Sequence, residues 1–218
     1  MTSDVCVSTH NIPFTGPTHS WKVTDTASFA PVTKALEELA IHRFHISGDA
    51  VIDRDVLADA MAKAVTVDTC YNSEYLMAAF SALLRPSCML LKLTASGWRM
   101  YETAAPDESE FVTRCIATNR TLKTLQLESA SGWIRLAALR GVADSPTLHG
   151  IKIPITDDDH FVPIPTEIKE AARAALRAPA LREFYESGFL YSAFDFVKTE
   201  WPDAVRGRGF IARYSSAK

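Results

Sequence analysis

Cys88-Met89-Leu90-Leu91-Lys92-Leu93-Thr94, then Ala95-Ser96-Gly97, then Trp98-Arg99-Met100-Tyr101-Glu102, is the stretch on which the fold reading turns. An apolar run, a glycine turn and a run alternating aromatic and polar side chains predict a β-hairpin. Glycine accepts the backbone angles of a tight turn, and period-two alternation gives a strand one buried face. The same order recurs downstream, where Leu125-Gln126-Leu127 leads into Ala130-Ser131-Gly132-Trp133-Ile134-Arg135-Leu136. Between the two, Asp107 is placed to cap a helix carrying Phe111, Val112, Cys115 and Ile116 on one face. The shared Ala-Ser-Gly-Trp string has two readings, an internal duplication and two unrelated glycine hairpins.

Upstream, apolar residues recur at three- and four-residue steps. Ser28 is read as the cap of a helix with Val32, Ala35, Leu36, Leu39 and Ala40 in one stripe. Asp53 caps a second, with Val56, Leu57, Ala60, Met61, Ala64 and Val65, and Ser73 a third that stops before Pro86. Downstream, Gly141, Pro146, Gly150, Pro154, Pro163 and Pro165 interrupt the chain around one short strand at Ile151–Ile155. Thr166 then caps a helix from Glu167 to Ala178, acidic at its start and carrying Arg173 and Arg177 near its end, the order the helix dipole favours. Phe189 to Val197 reads as a buried helix.

The expected fold class is therefore α+β with a helical majority, packed with a small antiparallel sheet built from two glycine-turn hairpins. The expected organisation is an extended arm over 1–27, an α+β domain over 28–140, a loop or linker over 141–165, a helical segment over 166–205 and a basic tail over 206–218.

Composition narrows the classes. With 47% hydrophobic and 22% charged residues in 218, wholesale disorder and disulfide miniproteins are excluded. The longest apolar run, Tyr75 to Leu84, is about half of what a membrane-spanning helix needs, roughly 20 residues. No signal peptide is read at Met1 to Cys6, so an intracellular or cytoplasmic protein without membrane contact is expected. Cys6, Cys70, Cys88 and Cys115 have no close pair and read as buried free thiols. A net charge of −3 supplies no global field for polyanions, so any such binding must be local.

The local candidates are few. Arg206, Arg208, Arg213 and Lys218 interleave with Phe210 and Tyr214 and contain no acid, the mixture that grips phosphates while stacking on bases. A solvated or docked terminus explains the same tail. Asp157-Asp158-Asp159-His160 offers metal-type ligands, but alternate side chains of an extended segment diverge, and a polar loop is the expected reading. His42, His45 and Glu38 approach a zinc half-site only on a continuous helix, and on a strand the two histidines part. No phosphate loop and no nucleophile elbow is present. Neither a metal nor a cofactor is expected.

Ala193-Phe194-Asp195-Phe196, within Phe189 to Phe196, resembles a signature of flexuous filamentous plant-virus coat proteins. That resemblance implies a mostly helical RNA-binding filament subunit with Asp195 in its core near RNA. It covers four to eight residues, and the glycine-tryptophan segments and the mere 22 residues after Phe196 depart from that family's pattern. An Asp195 carboxylate capped or paired with an arginine is the alternative.

The leading functional expectation is a non-enzymatic interaction or assembly subunit. A protein partner or a second copy would meet apolar side chains of the two ends, among them Phe14, Trp21, Phe189 and Tyr191. RNA or another polyanion held by the basic tail, with Arg173 and Arg177 as helpers, is the second. An enzyme assembled from distant residues such as His42, His45, Cys115 and the Asp157 loop is the third.

Overall fold

The computed structural model describes residues 3–8, 18–70, 72–96, 106–128, 130–153 and 165–185. The chain divides into two compact units, 1–98 and 99–218. In the first, β1 (Ser3–Ser8) and β2 (Thr18–Lys22) are followed by α1 (Thr26–Glu38), β3 (Ile41–Ser47), α2 (Arg54–Ala62), β4 (Thr66–Cys70), α3 (Ser73–Ala82) and β5 (Lys92–Ser96). In the second, α4 (Pro106–Thr118), β6 (Thr124–Leu127), α5 (Gly132–Asp144), β7 (Gly150–Lys152), α6 (Thr166–Leu176) and β8 (Glu183–Tyr185) alternate in turn.

Every described strand pair within a unit is parallel. The first unit runs β2-β1-β3-β4-β5 and the second β6-β7-β8. The antiparallel sheet of glycine hairpins is thus corrected to an α/β arrangement of parallel strands and crossover helices. Lys92–Ser96 is a strand, as its alternation requires, but residues 97–102 lie outside the described ones. Gly132-Trp133 is not a turn; it opens α5. Parallel strands need a crossover of a dozen residues or more, and helices spaced regularly between strands supply it.

One sequence pattern explains the alternation. An apolar or small side chain recurs at the first, fourth and sixth positions of a six-residue frame: Ile41/Phe44/Ile46, Ala64/Val67/Thr69, Leu90/Leu93/Ala95, Leu122/Leu125/Leu127 and Leu148/Ile151/Ile153, with Leu181/Phe184 beginning a sixth. All of these residues are buried. The frames start at 41, 64, 90, 122, 148 and 181, each two to eight residues after the end of a helix, so one helix plus one strand is the repeating unit. The two Ala-Ser-Gly-Trp strings fall at different places in this frame, so the repeat does not superpose them.

Helix ends follow the local chemistry. Asp25, not Ser28, caps α1; Ser28 sits three residues on and completes a reciprocal capping box with it. Asp53 caps α2 through the amides of Asp55 and Val56, and Asn72, not Ser73, caps α3 through that of Glu74. Helix α6 begins after Pro165 with no side-chain cap. All three crossovers in the first unit advance in one direction, so right-handed connections place α1, α2 and α3 over one face of the strands. Phe29 of α1 meets Phe44 of β3 edge to face, ring centroids 6.5 Å apart.

In the second unit α5 packs against both α4 and α6. Thr113 of α4 donates its hydroxyl to the carbonyls of Ser109 and of Ala137 on α5, at 2.9 and 3.1 Å. One turn later Gly141 lies so close that a Cβ there would stand 2.7 Å from the Thr113 carbonyl oxygen. No helix among the described residues is long and apolar enough to cross a membrane.

Candidate functional site: the polar strand face

Strand registry sorts the first unit into two faces. Val5, Val7, Phe44, Ile46, Val67, Thr69, Leu93 and Ala95 share one, all buried, beneath the helices. The other carries polar side chains and two thiols. Asp4, Arg43, Thr66 and Lys92 stand side by side across β1, β3, β4 and β5; Cys6, His45, Asp68 and Thr94 form the next row; Ser8, Ser47, Cys70 and Ser96 the third. Parallel sheets are ordinarily covered on both faces and read as continuous apolar runs. Strict alternation across four parallel strands gives this sheet a face built from hydrogen-bonding groups.

These groups engage one another. The Arg43 guanidinium pairs with the Asp68 carboxylate, itself largely buried. The hydroxyls of Ser47 and Ser8 lie 3.3 Å apart, and Cys70 Sγ sits 3.2 Å from Ser96 Oγ. Burial holds the His45 imidazole below its ordinary pKa; the Asp68 carboxylate pulls the other way and Arg43 adds to the depression. Burial pushes the Cys6 thiol up to about 11, against a smaller opposite pull from Arg43.

Thiol, imidazole and carboxylate therefore occupy adjacent strands in the order of a nucleophilic triad, but their electrostatics run against that chemistry. A nucleophile needs the thiolate. Cys6 is held as the thiol, and the Asp68 carboxylate is already engaged by Arg43. What the face holds is donors, acceptors and charges of both signs, in register on four parallel strands.

The second unit repeats the design. Leu125, Ile151 and Phe184 share a buried side, while Thr124, Gly150 and Glu183 share a register row on the other. Gln126 and Lys152 stand next to each other, and Lys152 Nζ reaches Glu128 Oε1 at 2.7 Å.

The residues singled out in the sequence scatter. His42 and His45 are on β3, not a helix: His42 is exposed at a β-bulge with Nδ1 3.7 Å from an Asp4 carboxylate oxygen, and His45 belongs to the polar face. Glu38 ends α1, so no half-site with it forms. Cys115 is fully buried in α4, its thiol pushed up to about 12 by burial. The four cysteines carry free thiols, with Cys70 the half-exposed one. Trp21 lies on β2, stacked on His19 at 5.8 Å. Arg173 is half-buried on α6 and Arg177 exposed at its end. Phe14, the Asp157 to His160 run, Phe189, Tyr191, Asp195, Arg206, Arg208, Phe210, Arg213, Tyr214 and Lys218 lie outside the described residues. Among the described residues, no group of three His, Cys, Asp or Glu side chains converges as a metal site.

Sequence reasoning missed Asp4, Arg43, Asp68, Lys92 and the serine row. The available signal was the polar residue between the apolar ones in each frame. Compared with protein-family models, curated proteins and solved structures, the chain finds no match.

Proposed function

We propose that this chain is a non-enzymatic interaction subunit, a strand-and-helix repeat scaffold whose polar strand face receives a protein partner. The observation that carries this reading is the alternation itself: four parallel strands keep one face apolar beneath helices and line the other with twelve polar or thiol side chains, of which Cys6, Ser8, Ser47 and Asp68 are buried and the other eight are partly or fully exposed. Repeats of this kind stack side by side and use the surfaces they line up for binding. The recurring frame also resembles the Leu-x-x-Leu-x-Leu opening of leucine-rich repeats. It departs from them in two ways. Only the copy starting at Ala64 has the asparagine of the ninth position, Asn72, and the spacings of 32 and 33 residues exceed the usual range of about 20–29.

The test compares faces. Proteins retained by the immobilised chain are identified by mass spectrometry for the native sequence, for the strand-face variants Asp4→Lys and Lys92→Glu, and for the helix-face controls Glu38→Lys and Arg140→Glu. Partners lost with the first pair and kept with the second are expected. Equal retention by all variants, or loss through the helix variants alone, removes the assignment.

A further inference from the structure

We infer that β2 pairs antiparallel with β2 of a second copy of this chain, joining two first units edge to edge about Ser20. Strand β2 is the end of its sheet: its one neighbour among the described residues is β1, in an unbroken five-residue register from Asp4↔Thr18 to Ser8↔Lys22. Exposed edges usually carry a bulge, a proline or an inward charge that blocks further pairing. β2 keeps an unbroken register with β1, and Thr18-His19-Ser20-Trp21-Lys22 contains no proline; its single charge is at its end.

The direction of its backbone groups is fixed by the partner it has. The Val23 amide donates to the Ser8 carbonyl at 3.1 Å, so the odd-numbered residues turn toward β1. In a parallel pair the amide and carbonyl of one residue point the same way, which turns those of Thr18, Ser20 and Lys22 outward. An antiparallel copy can satisfy all three at once in a single register, Ser20 opposite Ser20 and Thr18 opposite Lys22, closing about six backbone hydrogen bonds. Any other in-phase register pairs fewer of them.

That register also suits the side chains. His19 falls opposite Trp21 of the copy at non-hydrogen-bonded positions, where facing side chains come closest. The His19–Trp21 stack within each strand is thereby continued across the two-fold axis. Lys22 faces an uncharged residue, so no like charges oppose. The contact is isologous and closes on itself, giving a dimer and not a fibre.

Ser20→Pro separates this from other occupants. Its amide points away from β1, the one side on which an edge strand tolerates proline, so β1 pairing survives while the central pair with the copy is lost. Light scattering behind size exclusion, from 5 to 200 µM, is expected to show a monomer–dimer equilibrium for the native chain and at least a tenfold weaker one for Ser20→Pro with an unchanged far-ultraviolet spectrum. Ser20→Cys in a Cys70→Ser background is expected to yield a covalent dimer with a short bis-maleimide, since facing hydrogen-bonded residues have Cα atoms about 5.5 Å apart; this arm holds even if the proline variant fails to fold. A native chain monomeric at 200 µM, or a dimer that Ser20→Pro leaves intact and Ser20→Cys does not cross-link, overturns the proposal. Capture of an extended peptide from another protein at this edge would appear as the first of those results.

Discussion

Thr69 is the one hydroxyl in the apolar frame, and replacing it should make the protein more stable. It stands in register between Ile46 and Ala95, at the sixth position where other copies carry Ile46, Leu127 and Ile153. It is fully buried, and among the described residues its Oγ1 has no hydrogen-bond partner. A hydroxyl withdrawn from water without a partner costs about 1–3 kcal/mol. Thr69→Val keeps the branched shape, replaces the oxygen with a methyl and leaves strand propensity high. The gain should then be about 1–2 kcal/mol. With a urea slope of about 2 kcal/mol per molar, that moves the unfolding midpoint up by about 0.5–1 M. Urea unfolding followed by Trp fluorescence and far-ultraviolet dichroism measures it. A midpoint unchanged or lowered, with the slope constant, would show that the hydroxyl is satisfied in the native state and that the face assignment of β4 is wrong at this position.

Gly141→Ala should do the reverse: a gain in helix propensity of about 1 kcal/mol is outweighed by the collision with the Thr113 carbonyl and Ile116, for a net loss of about 1–2 kcal/mol in the same unfolding assay. Gly132→Ala, whose new methyl meets nothing closer than 3.8 Å, is its near-neutral control. His45 should titrate below the ordinary histidine value in an NMR pH series; a folded pKa lower than the unfolded one means the unfolded state takes the proton first, so stability is full above about pH 6.5 and falls as the pH drops through it. A His45 pKa at or above 6.5 contradicts the burial described. At pH 8 a thiol reagent should label Cys70 first, because Cys6 and Cys115, at about 11 and 12, hold about a thousandth or less of their sulfur as thiolate; rapid modification of Cys6 in the folded chain would refute this.

The helices were legible because their signals are local. Val56 to Val65 and Phe111 to Ile116 repeat at helical spacing, and Asp53 caps within three residues of itself. The expected caps at Ser28 and Ser73 lie three residues and one residue past the actual caps Asp25 and Asn72, shifts between neighbouring polar candidates. The sheet was not legible in the same way. A strand ending in Ser-Gly looks alike before a hairpin turn and before a crossover helix, and what separates the two lies ten or more residues on. The helix-and-strand repeat is written in the sequence, but its frame is carried by side chains as unlike as Phe44, Ala64, Thr69 and Ala95, at intervals from 23 to 33 residues. The identical Ala-Ser-Gly-Trp strings are the more conspicuous likeness, and they fall out of that frame. The polar face depends on that frame, so Asp4, Arg43, Asp68 and Lys92 could not be grouped until the strands were in register.

Alternation along each strand also separates two jobs that most enzymes entangle. Phe44 and Ile46 answer to the helices, while Arg43, His45 and the buried Ser47 alternate with them on the other face. A change at 66 or 92 alters that face without opening the apolar side beneath the helices, whereas one at 43 also unpairs the largely buried Asp68 carboxylate. On the proposed reading, such a surface is open to rewriting by single substitutions at its unpaired, partly exposed positions, Thr66 and Lys92 among them, each with little folding penalty.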